Sequence, residues 1–383
     1  MVHIALIALA VVTVVGLSVV FVQFFVGART IRNLVDQPGR SDGPLVSVIV
    51  AARDEGPNIE RALGSLLAQA YDRLEIVAID DRSTDDTGVV LERMAARDPR
   101  IRVVHITKLP PHWLGKNHAL HTGAALAGGE YLLFTDADIV FDQQAIGRAV
   151  AFMESRALDH LTLGPELDSP STMLELVVTF FTLGFFLYYR PWHAPDPKRQ
   201  EHLGIGAFNM VKASLYRGFG GHSRIPLRPD DDIKLGRMVK LSGGRQMVAG
   251  GFGVIKVRWY STVGELARGL RKNTFAGLNY SVPLAIGGVL VQIVGNIWPF
   301  VALFVTSGPL WWLNAAAATL MMVMFVAVAI GSGANPWLAL GYPIAAMVLV
   351  YIFVAAVWIT LRRGGIEWRG TFYSLAELKS NRV

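Results

Sequence analysis

The sequence predicts an α/β domain, with a mostly parallel sheet and flanking helices, joined to helical segments that span a membrane. Three observations carry this prediction. Strand-like and helix-like patterns alternate between residues 46 and 106. Acidic residues recur where strands end: Asp54 and Glu55, Asp80 and Asp81, Asp136 and Asp138. Long, almost uncharged apolar runs stand at both ends of a 383-residue chain that is 52% hydrophobic, a composition foreign to an ordinary water-soluble domain.

The first run, residues 4–26, is long enough to cross a bilayer as a helix and too long for the apolar stretch of a signal peptide. Residues 1–27 are therefore expected to be a retained anchor. Arg29 and Arg32 mark its cytoplasmic flank and put the N-terminus outside. Residues 28–44 read as a basic linker, and 45–280 as a cytoplasmic domain, large enough for one good core. Three further apolar runs, 282–305, 310–330 and 337–361, form an expected C-terminal bundle over 281–361. Tryptophans near their edges suit the membrane interface.

Four crossings would leave the tail outside. Yet residues 362–383 carry Arg362, Arg363, Arg369, Lys379 and Arg382, a cytoplasmic signature. Either one run is re-entrant, such as the one broken by Pro336 and Pro343, or the charge rule fails here.

Within the domain, residues 46–52 form a buried strand, and the polar turn Arg53-Asp54-Glu55 follows. Asn58 is placed to cap a helix over 59–69. Strands over 74–79 and 101–106 enclose another helix. This is the pattern of a parallel sheet with crossover helices, whose ligands bind at the carboxyl ends of the strands. The apolar run before Asp136 is one more buried strand. At strand spacing Asp136 and Asp138 point the same way, as two hard oxygen ligands for a divalent cation would. Asp80 and Asp81 suit a base N–H or ribose hydroxyls, whereas Asp85 and Asp86 fit a turn and helix cap.

Gly115 permits a tight turn, and Lys116 offers a point charge to phosphate. Residues 174–189 are short for a span and read as an amphipathic helix lying in the interface, within about 172–190; a buried core helix is the alternative. Gly204 to Asn209 form a small-residue turn that admits a substrate. Asp230-Asp231-Asp232 stand before a helix, either as caps or with one of them a general base, its pKa raised by acidic neighbours. Arg268, Arg271 and Lys272 cluster before the C-terminal runs, as a lipid-facing flank or as a clamp on a diphosphate leaving group.

The net charge of +6 suggests attraction to anionic lipid. No nucleic-acid-binding motif accompanies it. With no cysteine, disulfides and thiolate chemistry are excluded.

With these motifs in view, the chain resembles membrane-bound family 2 glycosyltransferases, in particular the ceramide, hopene-associated and carotenoid-acid branch. The motifs are Arg53-Asp54-Glu55, Asp80-Asp81-Arg82-Ser83-Thr84-Asp85, Trp113-Leu114-Gly115-Lys116, Thr135-Asp136-Ala137-Asp138, Asp231-Asp232-Ile233-Lys234-Leu235, Lys272-Asn273-Thr274-Phe275-Ala276-Gly277 and Trp368-Arg369-Gly370 with Tyr373. The resemblance implies a type A glycosyltransferase fold, an inverting single displacement, and a nucleotide-sugar donor, most often a UDP-sugar. It implies Asp81 on the uracil, Asp136 on the ribose or sugar, Asp138 on Mg2+ or Mn2+, and Asp232 as base. Arg53, Glu55, Lys116, Arg268, Arg271 and Lys272 complete the implied donor site, and Gly206, Asn209 and Asp231 the acceptor site. Lys272 stands where the family has a tryptophan, which argues against a processive polysaccharide synthase. The expected acceptor is a hydroxyl of a membrane lipid, met at the cytoplasmic face of a bacterial inner membrane. A polymer-extruding synthase is the alternative. A nucleotide-sugar-binding scaffold would lack one of the carboxylates, and a transporter would carry intramembrane charge.

Overall fold

The computed structural model describes residues 2–381, apart from the side chains of Val2 and Lys272. The readings that rest on Arg382 and on the Lys272 side chain lie outside the described residues.

Helix α1 (Val2–Ala28) opens the chain. Then β1 (Val46–Ala52), α2 (Gly56–Leu67), β2 (Leu74–Asp81), α3 (Thr87–Ala95) and β3 (Ile101–Ile106) alternate as the sequence predicts. Next come α4 (Gly115–Leu126), β4 (Tyr131–Asp136), β5 (Val140–Phe141), α5 (Ala145–Ser155) and β6 (His160–Leu167). After α6 (Thr172–Tyr189) lie β7 (Asn209–Lys212), α7 (Ala213–Gly218), α8 (Asp231–Leu241) and β8 (Gln246–Val257). The rest is α9 (Val263–Thr274), α10 (Val282–Gln292), α11 (Trp298–Val305), α12 (Gly308–Gly331), α13 (Tyr342–Arg363), the hairpin β9 (Gly365–Trp368) and β10 (Thr371–Ser374), and α14 (Leu375–Ser380).

Two compact units result. The sheet unit comprises Ile31–Asp168, Pro191–Arg258 and the residues from Ser380. Its eight strands run in the order β3-β2-β1-β4-β7-β6-β8-β5. β3, β2, β1 and β4 are mutually parallel, as are β6 and β8, while β7 runs antiparallel to β4 and β6. Val46, Val48 and Ile49 of the inner strand β1 are fully buried, as a strand covered on both faces requires. Leu120 of α4 and Leu235 of α8 share a cluster with Ile49, Phe134 and Val211. Each such side chain contributes roughly 1.5–3 kcal/mol on burial. α4 lies so close to the sheet that a Cβ on Gly123 would stand 2.6 Å from Ile49 Cγ2.

Three local differences from the sequence reading have physical reasons. α2 starts at Gly56, with Pro57 in its first turn, so Asn58 lies inside the helix rather than capping it. β4 stops at Asp136 and Asp138 sits in the following turn, so strand alternation does not relate the two carboxylates. The stretch before β1 is docked, not loose: Leu34 is fully buried and Gly250 N donates to Arg32 O at 2.8 Å.

The helical unit comprises α1, residues Ser169–Arg190 and Trp259–Lys379. Among the described residues, five helical stretches are long and apolar enough to cross a membrane: His3–Ala28, Thr172–His193, Val282–Val305, Gly308–Gly331 and Pro336–Arg363. The third is continuous through a π-helical turn at Ile293–Ile297, ahead of Pro299. α11 and α12 form a tight hairpin closed by Trp311 Nε1 donating to Leu303 O at 3.1 Å. α12 packs along α1. The described part of the tail forms a hairpin and a short helix. Arg369 and Gly370 both have positive φ, 48° and 75°, the requirement of a two-residue turn joining β9 to β10.

Candidate active site

The parallel strands deliver their ends to one edge. Register pairs Ala52 with Asp80 and Ala51 with Asp136, so the acids after β1, β2 and β4 emerge side by side. The loops there are laced together. Thr84 N donates to Asp54 Oδ1 at 2.7 Å, Asp54 N to Ser83 Oγ at 3.1 Å, and Glu55 N to Thr87 Oγ1 at 2.8 Å. Asp85 accepts from Thr87 N and Gly56 N, both at 3.0 Å, which is the turn role its position suggests. Asp80 is spent on structure as well: it accepts from Ser83 N at 3.1 Å and meets His105 Nδ1 at 2.9 Å.

Asp81 is buried at the end of β2 and takes a two-point contact from Arg82, at 2.8 and 3.0 Å. Gly115 begins α4 directly against it, and a Cβ there would stand 2.3 Å from Asp81 Oδ2. Close approach, not a tight turn, is what requires glycine at 115. Lys116 follows at the helix start, its side chain 24% exposed. Its Nζ lies 2.7 Å from Asp136 and 3.7 Å from Asp231, and these acids raise its pKa despite burial.

α8 brings the acidic triplet in from the other side. Asp230 accepts from Nε and Nη2 of the buried Arg228, both at 2.8 Å, and lies 3.8 Å from Lys234 Nζ, a structural ion pair. Arg228 is itself fixed from α4, because Asn117 Nδ2 donates to the backbone oxygens of Ile225 and Arg228. Asp232 accepts from Gly206 N and Ile233 N, both at 2.8 Å. Burial nonetheless raises its pKa, with Lys116 opposing and Asp136 adding to the shift. The 204–209 turn fits tightly around it: a Cβ on Gly204 would stand 1.9 Å from Asp232 O, and one on Gly206 2.9 Å from Asp136 Oδ2. Asn209 is buried, bonded to His160 and donating to Asp232 O at 3.2 Å.

Lys116, Asp136, Gly206, Asn209, Asp231 and Asp232 thus line one small cavity, together with Thr135 and His222, which sequence reasoning missed. The signals for those two are weak. Thr135 donates to Ala207 O at 2.8 Å, and His222 is a buried neutral ring held by Tyr216. Asp138 is pushed up to about 7 by burial, by Asp136 and by Glu55. Arg53 lies beside Asp54, 3.9 Å from its carboxylate. Arg268 and Arg271 are exposed on α9, in the helical unit.

No group of three or more His, Asp or Glu is gathered as a metal cage among the described residues. The donor set fits a cation shared with a phosphate ligand instead: the Asp138 carboxylate, held beside two further acids, Asp136 and Glu55, with Lys116 near by.

Residues 47–204 match the model of glycosyl transferase family 2. The chain carries a family 2 glycosyltransferase domain. A 4,4'-diaponeurosporenoate glycosyltransferase of Staphylococcus aureus is 22% identical over 343 residues, covering 87% of this chain and 89% of that protein. An uncharacterized glycosyltransferase of Haemophilus influenzae is 34% identical over 135 residues, 35% of this chain. The chain spans 38% of the length of that relative and 34% of a second one from Bacillus subtilis. A mannosyltransferase from Pyrobaculum calidifontis, solved with GDP-Man and Mn2+, superposes with a TM-score of 0.55 at 19% identity, covering 93% of this chain and 98% of that one. That likeness supports the type A fold of the family 2 domain.

Proposed function

We propose that this glycosyltransferase moves a sugar from a nucleotide-sugar, most simply a UDP-sugar, to a hydroxyl of a membrane lipid by a single inverting displacement. The observation that carries the reading is Asp232. Its carboxylate is fixed by two backbone N–H groups and its basicity is raised by burial, beside Lys116 and Asp136 at the strand-end edge. That is how a general base is tuned and aimed.

Asp232 takes the proton of the acceptor hydroxyl. The acceptor oxygen bonds to C1 of the sugar, and the bond from C1 to the diphosphate oxygen breaks with its electron pair leaving on the diphosphate. Lys116 offsets charge on the donor, Asp81 receives the base once Arg82 gives way, and Asp136 receives ribose or sugar. Asn209 holds the Asp232 backbone, and Gly206 and Asp231 border the acceptor. Arg53, Glu55, Arg268 and Arg271 are proposed to support the donor. Asp138 would hold the Mg2+ or Mn2+, which when bound neutralises diphosphate charge. The apolar helices, and a relative named for 4,4'-diaponeurosporenoate, support an acceptor that stays in the bilayer.

Membranes containing the protein would be incubated with labelled nucleotide-sugars and either cation, then extracted with organic solvent. Label should enter the organic phase with the wild type and not with Asp232→Asn, which should still bind donor. Both Asp232 oxygens accept from backbone N–H, so the amide loses one bond; thermal stability of the variant is checked alongside, with Asp232→Glu as a second variant. Insoluble polymeric product, or loss of donor binding in a folded Asp232→Asn, would overturn the reading.

A further inference from the structure

We infer that α13 enters and leaves on the side that holds the sheet unit, and that its exposed apolar face docks into that leaflet. The first observation is where the chain ends. Asn381 Nδ2 donates to Arg224 O at 3.1 Å, and Leu227 N donates to Asn381 Oδ1 at 3.2 Å. Asn381 therefore belongs to the sheet unit, which the chain left after Arg258. A chain that leaves one face of a bilayer and returns to it crosses an even number of times. Among the described residues three apolar stretches lie between, so they do not all cross.

The packing says which. α11 and α12 form the Leu303–Trp311 hairpin, and α12 lies along α1. A hairpin crosses twice and brings the chain back at Gly331. There Asn335 N donates at 3.0 Å to Glu175, in the first turn of α6. α6 itself does not cross. It leaves β6 and returns to β7, and these strands pair in one sheet, which a single crossing would place on opposite sides of the bilayer. α13 then packs on α6 and on α9, a helix carrying exposed Arg268 and Arg271 that has no place in a hydrocarbon core. Its start is wedged by Tyr342, which meets Phe180 of α6 and donates to Met321 Sδ at 3.3 Å. Its exposed side chains fall at helical spacing on one face: Ile344 45%, Met347 50%, Tyr351 72%, Val354 46% and Trp358 65%. An apolar stripe that ends in a tryptophan and then Arg362 and Arg363 suits a helix seated in the interface of one leaflet. The basic tail then lies on the cytoplasmic side, as its charge requires.

The chain has no cysteine, so single substitutions report sidedness without background. Lys108→Cys marks the sheet unit, Ser307→Cys the hairpin tip, and Ala334→Cys and Glu367→Cys the two ends of α13. Each variant, in sealed membrane vesicles of known orientation, is treated with a membrane-impermeant maleimide. Positions 108, 334 and 367 should react from the same face and 307 from the other. Labelling of 334 and 367 from opposite faces would overturn the inference, and so would labelling of 307 from the face of 108. A variant that fails to accumulate is replaced by its neighbour, Ser332→Cys for 334 or Phe372→Cys for 367.

Discussion

Asp138 shows how one residue couples charge to ligand. Burial, with Asp136 and Glu55 beside it, pushes its carboxyl up to about 7 from the ordinary 3.8. The sign follows from linkage: between those values the unfolded chain has lost the proton that the folded chain keeps, so cation-free stability falls as pH rises through that window and levels off above it. A divalent cation needs the ionised form and therefore competes with this proton. Mn2+ affinity in the presence of donor nucleotide should rise from pH 5.5 to about 7 and then flatten, as titration calorimetry across buffers can read. Asp138→Asn should remove both the pH dependence and most of the affinity; a persisting slope would move the cation to other groups. This shift is not legible in the sequence, because the turn after β4 and the approach of Glu55 are tertiary facts. The same holds for Lys116. Its phosphate-directed charge is legible in sequence, but its contacts with Asp136 and Asp231 require α4 and α8 to converge on one strand edge.

At the level of elements, the alternating strands and helices were legible because β1 and β2 are mostly apolar between polar turns, and β3 keeps apolar residues at 101, 103, 104 and 106. The part of the sheet built from β5 to β8 was not. Those strands are short or mixed in polarity, and β7 runs antiparallel to its neighbours, so pattern alone does not place them. Of the acidic triplet, sequence could not separate Asp230, whose partner Arg228 is visible only as a buried side chain. α4 links core to site. Alanine at 123 should gain about 1 kcal/mol of helix propensity. Against that, its Cβ meets Ile49 Cγ2 at 2.6 Å and Ile79 Cγ1 at 3.3 Å, and overpacking of this kind costs roughly 1–3 kcal/mol. Gly123→Ala should therefore lower thermal stability, and it should weaken donor binding as well, because Lys116 rides at the start of the displaced helix. A variant as stable as wild type would mean that α4 has room to move.

For the whole molecule, the question is what holds the chain in the bilayer. The N-terminal helix is the most apolar of the candidate spans among the described residues, and little of it is buried within the protein. It reads as the anchor from sequence alone. The structure adds a second apolar surface: the α11–α12 hairpin, with the apolar faces of α6 and α13, exposes side chains that include Phe304 at 88% and Trp312 at 70%. Fully burying each large side chain of this kind is worth roughly 1.5–3 kcal/mol, and several act together. A chain lacking residues 1–28 should therefore stay in the membrane pellet after alkaline carbonate extraction. It should also be less stable to heat in detergent, because α12 loses the neighbour it packs along. Release of the truncated chain into the supernatant would show that the C-terminal helices do not insert on their own, and that α1 alone ties the sheet unit to lipid.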